Sequence, residues 1–474
     1  MVFSFSDLFG ISPVLSVSLT AIIALIVKSA KQKSETAILI IGIVGILISM
    51  GFSVLTFSLN ATAFNDMVLV GGYASFFDLL FLAAGLLTFL LSESYLKKEE
   101  INFGEFYVLV LLAVAGMMLM GSSADLITLF LGVELMSVCF YVLAGFMRTK
   151  ISSNEAALKY FLLGAFATGF LLYGIALVYG TTGTTNILRI ASGRPNESMR
   201  LWYSVGFGLL LIGLAFKVAA VPFHMWAPDV YEGSPTTVSA LMSTGGKSAA
   251  FAAAVLVFSI PMAQHDEHFK LILAVLAASS MVVGNLFGLA QTNLKRMLAY
   301  SSVAHAGYML VGLASGQPLG QQGILFYLVS YTFTNLGAFG VISILERESG
   351  KNVSYEDYAG LGTRRPVIAA LLSAFMFSLT GIPPFAGFVG KYYLFTSAVQ
   401  SQMTWLAILG VVTSLISAYY YLRVVVYMYF RDAKDTAEIR VPRLALCSIV
   451  ISAAGIVVLG ILPSLILNVT QLLF

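Results

Sequence analysis

A chain of 474 residues that is 59% hydrophobic, only 10% charged and +3 in net charge lies far from the roughly 45–50% apolar and about 25% charged composition of soluble domains. That balance excludes a soluble globular enzyme and offers no basic footprint for nucleic acid, so the chain reads as an integral membrane protein embedded in a lipid bilayer. Its two cysteines, Cys139 and Cys447, fall inside predicted helices, which argues against a disulfide or a metal site.

No β-barrel alternation is present. Apolar runs of roughly 18–25 residues follow one another instead, the length that crosses a bilayer at about 1.5 Å per residue. The opening segment, MVFSFSDLFGISP, lacks a basic stretch and a small-residue cleavage site, so no removable signal peptide is expected. The expected fold is all-α, with about 14 transmembrane helices. The first three spans lie near 12–28, 36–58 and 75–94, followed by 104–121, 124–147, 155–180, 201–225 and 235–259. Five more lie near 268–290, 297–315, 319–345, 363–399 and 403–430, and the last near 443–470.

Spans four to eight and nine to thirteen form two sets of five, and proline breaks the fourth span of each. Pro222 interrupts the first, Pro383 and Pro384 the second. An odd number of spans per copy turns the second copy upside down, the inverted-repeat plan of many transporters. The expected organisation is three N-terminal helices in 1–103, a first repeat in 104–259, an inverted second repeat in 260–430 and a terminal helix in 431–474. Lys28, Lys31, Lys33, Lys97, Lys98, Arg148, Lys150, Lys295, Arg296, Arg347, Lys351, Arg364, Arg365, Arg431, Lys434, Arg440 and Arg443 all fall on one side of these spans. Arg189, Arg194, Arg200 and Lys270 fall on the other. The positive-inside rule makes the first side cytoplasmic and sends both termini to the opposite face.

Glu134, Lys217, Lys247 and Lys391 lie well inside apolar spans. Each costs roughly 2.5–3.5 kcal/mol at a helix centre, so together they cost about as much as the net stability of a typical domain. A structural ion pair or a snorkelling lysine is the plain alternative; a proton path is the better account of three interior lysines, two of them beside broken helices. A buried lysine is pushed toward neutrality by desolvation and back by a nearby carboxylate, so a Lys–Glu pair that opens and closes takes up and releases protons. Pro222 removes the hydrogen bond to the Val218 carbonyl, and the freed backbone needs water or a side chain beside Lys217. His224, two residues past the break, and His305, among small residues in the tenth span, are candidate relays or packing hydrogen-bonders. Lys159 follows Glu155 by four residues and reads either as a surface pair or as a second partner of the interior network. Asp229 and Glu232 read as capping and connecting residues, and Arg423 either balances interior charge or snorkels. There is no dinucleotide-binding glycine motif between strand and helix, no CxxC cluster and no haem-ligating histidine array, so redox chemistry is expected elsewhere.

HMWAPDVYEGSPTTVSA (224–240), flanked by AFKVAAVPF and STGGKSAAF, resembles the N subunits of bacterial NADH–quinone oxidoreductase, the antiporter-like membrane subunits of respiratory complex I. NLKRMLAYSSVAHAGYML (293–310), EAALKYFLLGAF (155–166) and GIPPFAGFVGKYYLF (381–395) agree with that family. YEGSP stands where the sister L and M subunits and the related cation/proton antiporters carry a TEAP-like sequence, and the chain stops after the fourteenth span, without the lateral helix of the L subunit. The resemblance implies about 14 helices, two inverted five-helix repeats and a central line of charged residues. It implies proton translocation coupled to quinone reduction elsewhere in the complex, with neighbouring antiporter-like and small membrane subunits as partners in the inner (plasma) membrane. Flavin, iron–sulfur clusters and quinone belong by this resemblance to partner subunits, with no cofactor in this chain. Glu134 and Lys217 match the family's Glu–Lys pair, Lys247 its central lysine and Lys391 its terminal lysine, where the M subunit has a glutamate. A subunit of a stand-alone cation/proton antiporter is the alternative.

Overall fold

The computed structural model describes residues 4–31, 34–193, 196–259, 267–346, 353–433 and 440–473. Lys33, Arg194, Arg347, Lys351, Lys434 and the expected repeat boundary at 260 lie outside the described residues. Among those described, 12 helices are long and apolar enough to cross a bilayer, and the apolar helices Glu105–Gly121 and Pro366–Thr380 are shorter. Most begin and end within a few residues of the predicted spans. Side-chain caps fix several starts: Asp125 accepts from Ile127 N at 2.8 Å ahead of Leu126–Ala144, and Asn293 accepts from Lys295 N and Arg296 N ahead of Leu294–Ser315.

Burial sorts these helices into an inner and an outer set. The most apolar stretch of Thr236–Phe258 is 100% buried and that of Leu294–Ser315 94%, whereas Ser12–Ala30 reaches 33% and Thr404–Phe430 39%. In a bilayer the outward faces meet lipid, and Phe166, Leu201 and Leu415 are accordingly exposed. The inner helices are where an ionisable group escapes lipid, and they carry Lys247 and His305. Close approach needs small residues. A Cβ on Gly284 would lie 2.5 Å from Ala304 N and one on Gly307 2.7 Å from Met281 N, so Glu267–Leu289 and Leu294–Ser315 meet almost backbone to backbone.

Both predicted breaks are present, and both are sharper than the sequence indicates. The first helix, Arg200–Val218, stops at Val218 and not at 225; Ala219 takes the left-handed conformation (φ 58°), and a short helix resumes at Trp226–Gly233. The second predicted span, 363–399, is two helices, Pro366–Thr380 and Ala386–Gln400, parted at Gly381 (φ 87°). In each case the left-handed residue precedes the proline, so it ends the helix before the missing N–H matters. Side chains meet the demand of the freed carbonyls at the first break: Trp226 Nε1 donates to Phe216 O at 3.0 Å, and Val221 N finds Ser280 Oγ at 2.9 Å.

The helix that carries Lys247 is wound unevenly. It is α-helical over Thr236–Leu241 and Lys247–Ala254, with wide π-helical turns over Met242–Gly246 and Val255–Ser259 on either side. A small antiparallel hairpin, Ala61–Ala63 with Val68–Val70, was not expected; Phe64, Asn65 and Asp66 turn it with positive φ.

Charged contacts tie the predicted basic side together. Lys28 meets Glu35 at 2.9 Å, Lys150 meets Glu99 at 2.6 Å, and Lys98 donates to the carbonyls of Ser343 and Glu346. Arg189 pairs with Asp66 of the hairpin at 3.4 Å, apart from that group.

Candidate proton path

The three interior lysines are 6%, 1% and 5% exposed for Lys217, Lys247 and Lys391, and each is held by a serine hydroxyl. Lys217 sits in the last turn of its half-helix, where the unpaired carbonyls give the helix end a partial negative charge. Its Nζ donates to Ser137 Oγ at 2.7 Å. Lys391 reaches a similar place from the other side of its break. It starts on Ala386–Gln400 and donates back to the terminal carbonyls of the first half, Leu379 O and Thr380 O, both at 2.9 Å, and to Ser414 Oγ at 2.7 Å. The helix-end charge is worth about 0.3–2 kcal/mol, less than the roughly 2.5–3.5 kcal/mol insertion cost. Hydrogen bonds from a charged group, about 1.5–3 kcal/mol each, make up the difference. Hydroxyls and helix ends, not carboxylates, are the main partners of these lysines.

Lys247 lies between the two breaks. It donates to Ser302 O at 2.5 Å and to Ser302 Oγ, and its Nζ stands 6.0 Å from the Tyr331 ring. His305, on the same helix as Ser302, faces both Lys247 and Lys391 closely enough to feel their charge. Its Nδ1 contacts Tyr327 OH at 2.5 Å and its Nε2 contacts Tyr421 OH at 3.0 Å, while Tyr421 also bonds Ser301. Tyr308 carries the line on: its ring lies 4.9 Å from Lys391 Nζ and its hydroxyl accepts from Asn285 at 3.2 Å.

Not every predicted residue joins this line. Glu134 is near enough for its charge to act on Lys217, yet among the described residues the two make no contact ion pair, and Glu134 Oε1 is buried without a partner. His224 is half-buried in the turn after the first break, its Nδ1 also without a partner. Lys159 takes the surface reading, pairing with Glu155 and Asp229 at 2.7 Å each. Asp229 and Glu232 also bind Arg296, at 2.7 and 2.9 Å, which makes them more than connectors. Arg423 lies 4.4 Å from the Tyr355 ring and 5.7 Å from Tyr427, a cation–π site away from the lysines.

Four groups escaped the sequence reading. Asp78, in FFDLLF, is 4% exposed with Oδ1 unpartnered; it is a lone carboxylate in an apolar run, the same signal that singled out Glu134. Lys295 and Glu346 look like span-end charges in sequence but are 3% exposed and 3.7 Å apart. Tyr327 and Tyr331 fall at i and i+4 on one helix face and look like ordinary aromatic core.

A helical membrane scaffold with two broken helices and a buried line of lysines defines the class: an antiporter-like, ion-translocating membrane subunit. The family model described as NADH:quinone oxidoreductase/Mrp antiporter, TM, matches residues 123–417. NADH-quinone oxidoreductase subunit N of Trichlorobacter lovleyi is 50% identical over 450 residues, covering 93% of this chain and 91% of that one. A chain of respiratory complex I from Thermus thermophilus, solved with bound aureothin, superposes with a TM-score of 0.83 at 36% identity, covering 96% of this chain and 98% of that one. A chain of the Mrp complex from Dietzia sp. DQ12-45-1b reaches the same TM-score at 23% identity, covering 98% and 97%, and shares the fold. The chain belongs to the family of NADH-quinone oxidoreductase N subunits.

Proposed function

We propose that this chain carries protons along a line running from Glu134 and Lys217 through Lys247 and His305 to Lys391. As a member of the N-subunit family it serves as a proton-translocating membrane subunit of NADH–quinone oxidoreductase, driven by quinone reduction elsewhere in the complex. The observation that carries the reading is the set of three buried lysines, each bound to a serine hydroxyl, with His305 between two of them and a tyrosine hydroxyl on each ring nitrogen. Such groups exchange protons over short distances when the hydrogen bonds rearrange. His224 and Lys159 serve this line from its edge, as a relay and as a surface charge.

The remaining parts of the reading follow from it. The two broken helices belong to inverted five-helix repeats within about 14 spans. The basic side faces the cytoplasm, the membrane is the inner (plasma) membrane, and the neighbours are other antiporter-like and small membrane subunits. Flavin, iron–sulfur clusters and quinone sit in partner subunits. A stand-alone cation/proton antiporter is the weaker alternative, since 50% identity to an N subunit stands against 23% to an Mrp chain.

Proton pumping per electron in inverted membrane vesicles carrying Lys217→Ala tests the reading, with assembly followed on native gels. An assembled complex that loses both turnover and pumping supports it. Intact pumping per electron would make the first broken helix architecture only.

A further inference from the structure

A polar cavity of about 250 Å³ opens between the start of the Ile151–Thr182 helix, the short helix Trp226–Gly233 and the start of Leu294–Ser315. Its outer wall carries the partly exposed Lys159, Asp229, Glu232 and Arg296. Its inner wall carries Lys295 and Glu346, which are buried and charged and belong to no part of the lysine line.

Polar atoms continue behind that wall. Glu346 accepts a hydrogen bond from Thr236 Oγ1, and Thr236 opens the helix that carries Lys247. Ser234 Oγ and Thr237 Oγ1 beside it are buried with no partner. So are Tyr331 OH and Asn335 Oδ1 on Pro318–Leu345, the helix packed against it. Buried polar atoms nearly always bond to protein or to ordered water, so four orphans along one helix seam mark a place for a short file of water. At the inner end Tyr231, on the helix whose Asp229 and Glu232 line the cavity, interacts with Ser302, the residue that holds Lys247.

We propose that this cavity is the aqueous mouth from which Lys247 exchanges protons, with Glu346 as the proton-accepting group of its inner wall. The inference rests on the proton-translocating reading above. A hydronium ion in the mouth gives its proton to the Glu346 carboxylate and leaves water. Glu346 passes a proton to Thr236 Oγ as that hydroxyl releases its own into the seam. Water hands it on to the Lys247 amine, which becomes ammonium, and Glu346 returns to carboxylate. Lys295, 3.7 Å from Glu346 and bonded to Ser234 O at 2.8 Å, holds the carboxylate in place between transfers.

The test uses the intact complex in inverted vesicles. In Glu346→Gln, quinone reduction and proton pumping are expected to fall together by tenfold or more with assembly retained, and Glu346→Asp is expected to recover most of the loss. The double variant Lys295→Met/Glu346→Leu removes both charges and fills the space with apolar atoms, a replacement that buried pairs often tolerate. It is expected to assemble and yet not pump, which a purely structural ion pair would not predict. Normal pumping by either Glu346→Gln or the double variant overturns the proposal. If Lys217→Ala pumps normally the proton-path reading itself falls; if Lys217→Ala fails while the Glu346 variants pump, only the mouth is wrong.

Discussion

The second break is where a single methyl group should separate geometry from chemistry. A Cβ on Gly387 would lie 1.9 Å from Ser378 O, against about 3.4 Å for ordinary contact, so Gly387→Ala must push the two half-helices about 1.5 Å apart. Overpacking of this kind costs about 1–3 kcal/mol. Lys391 stands one turn beyond Gly387, and a shift of that size strains or breaks its 2.9 Å bonds to Leu379 O and Thr380 O. Losing one of those charged bonds adds about 1.5–3 kcal/mol, for a total on the order of 3–5 kcal/mol. Gly387→Ala should therefore lower the yield and thermal midpoint of the assembled complex, and the complex that does assemble should pump poorly. Gly208→Ala, where an added Cβ meets nothing within 4 Å, is the control and should behave as wild type within about 0.5 kcal/mol. Native-gel yield, melting and acidification of inverted vesicles measure these effects. Wild-type stability and pumping in Gly387→Ala would show that the close approach of the halves does not position Lys391.

Two further outcomes follow from the first break and its charged neighbours. Trp226→Phe keeps the stacking on Tyr160 but removes the indole donor from Phe216 O; it should destabilise the complex by about 1–3 kcal/mol, read as a lower melting temperature. Burial pushes the Asp229 carboxyl up, but Lys159 and Arg296 outweigh it and hold it below its ordinary value. Because the folded value is the lower one, the stabilisation is full above the ordinary carboxylate range and is lost as pH falls through the folded value. The melting difference between wild type and Asp229→Asn should stay level from about pH 5 to 8 and close below about pH 4; a difference that grows in acid would refute the assignment.

Much of this architecture is legible in the sequence because the bilayer enforces it. Apolar runs must be long enough to cross, and an interior lysine costs too much to be incidental, so Lys217, Lys247 and Lys391 stand out without any structure. Their partners do not. Ser137, Ser302 and Ser414 lie on other helices, and serine is common enough in apolar helices that only tertiary contact singles one out. Both breaks are visible as prolines, but their abrupt form depends on Ala219 and Gly381 adopting left-handed backbone, which Gly hints at and Ala does not. Lys295 and Glu346 are hidden for the opposite reason. They occupy helix ends, where charge is expected, and only the packing of Thr236–Phe258 against Pro318–Leu345 encloses them.

The uneven winding around Lys247 has a mechanical consequence. A wide turn travels along a helix by exchanging one hydrogen bond at a time, and each residue it passes rotates by about 100° around the axis. Wide turns at Met242–Gly246 and Val255–Ser259 bracket Lys247–Ala254, so this segment has slack at both ends while Thr236 stays bonded to Glu346. The ammonium thus rides on a swivel: it can swing toward a new partner without moving either end of a helix locked inside the protein.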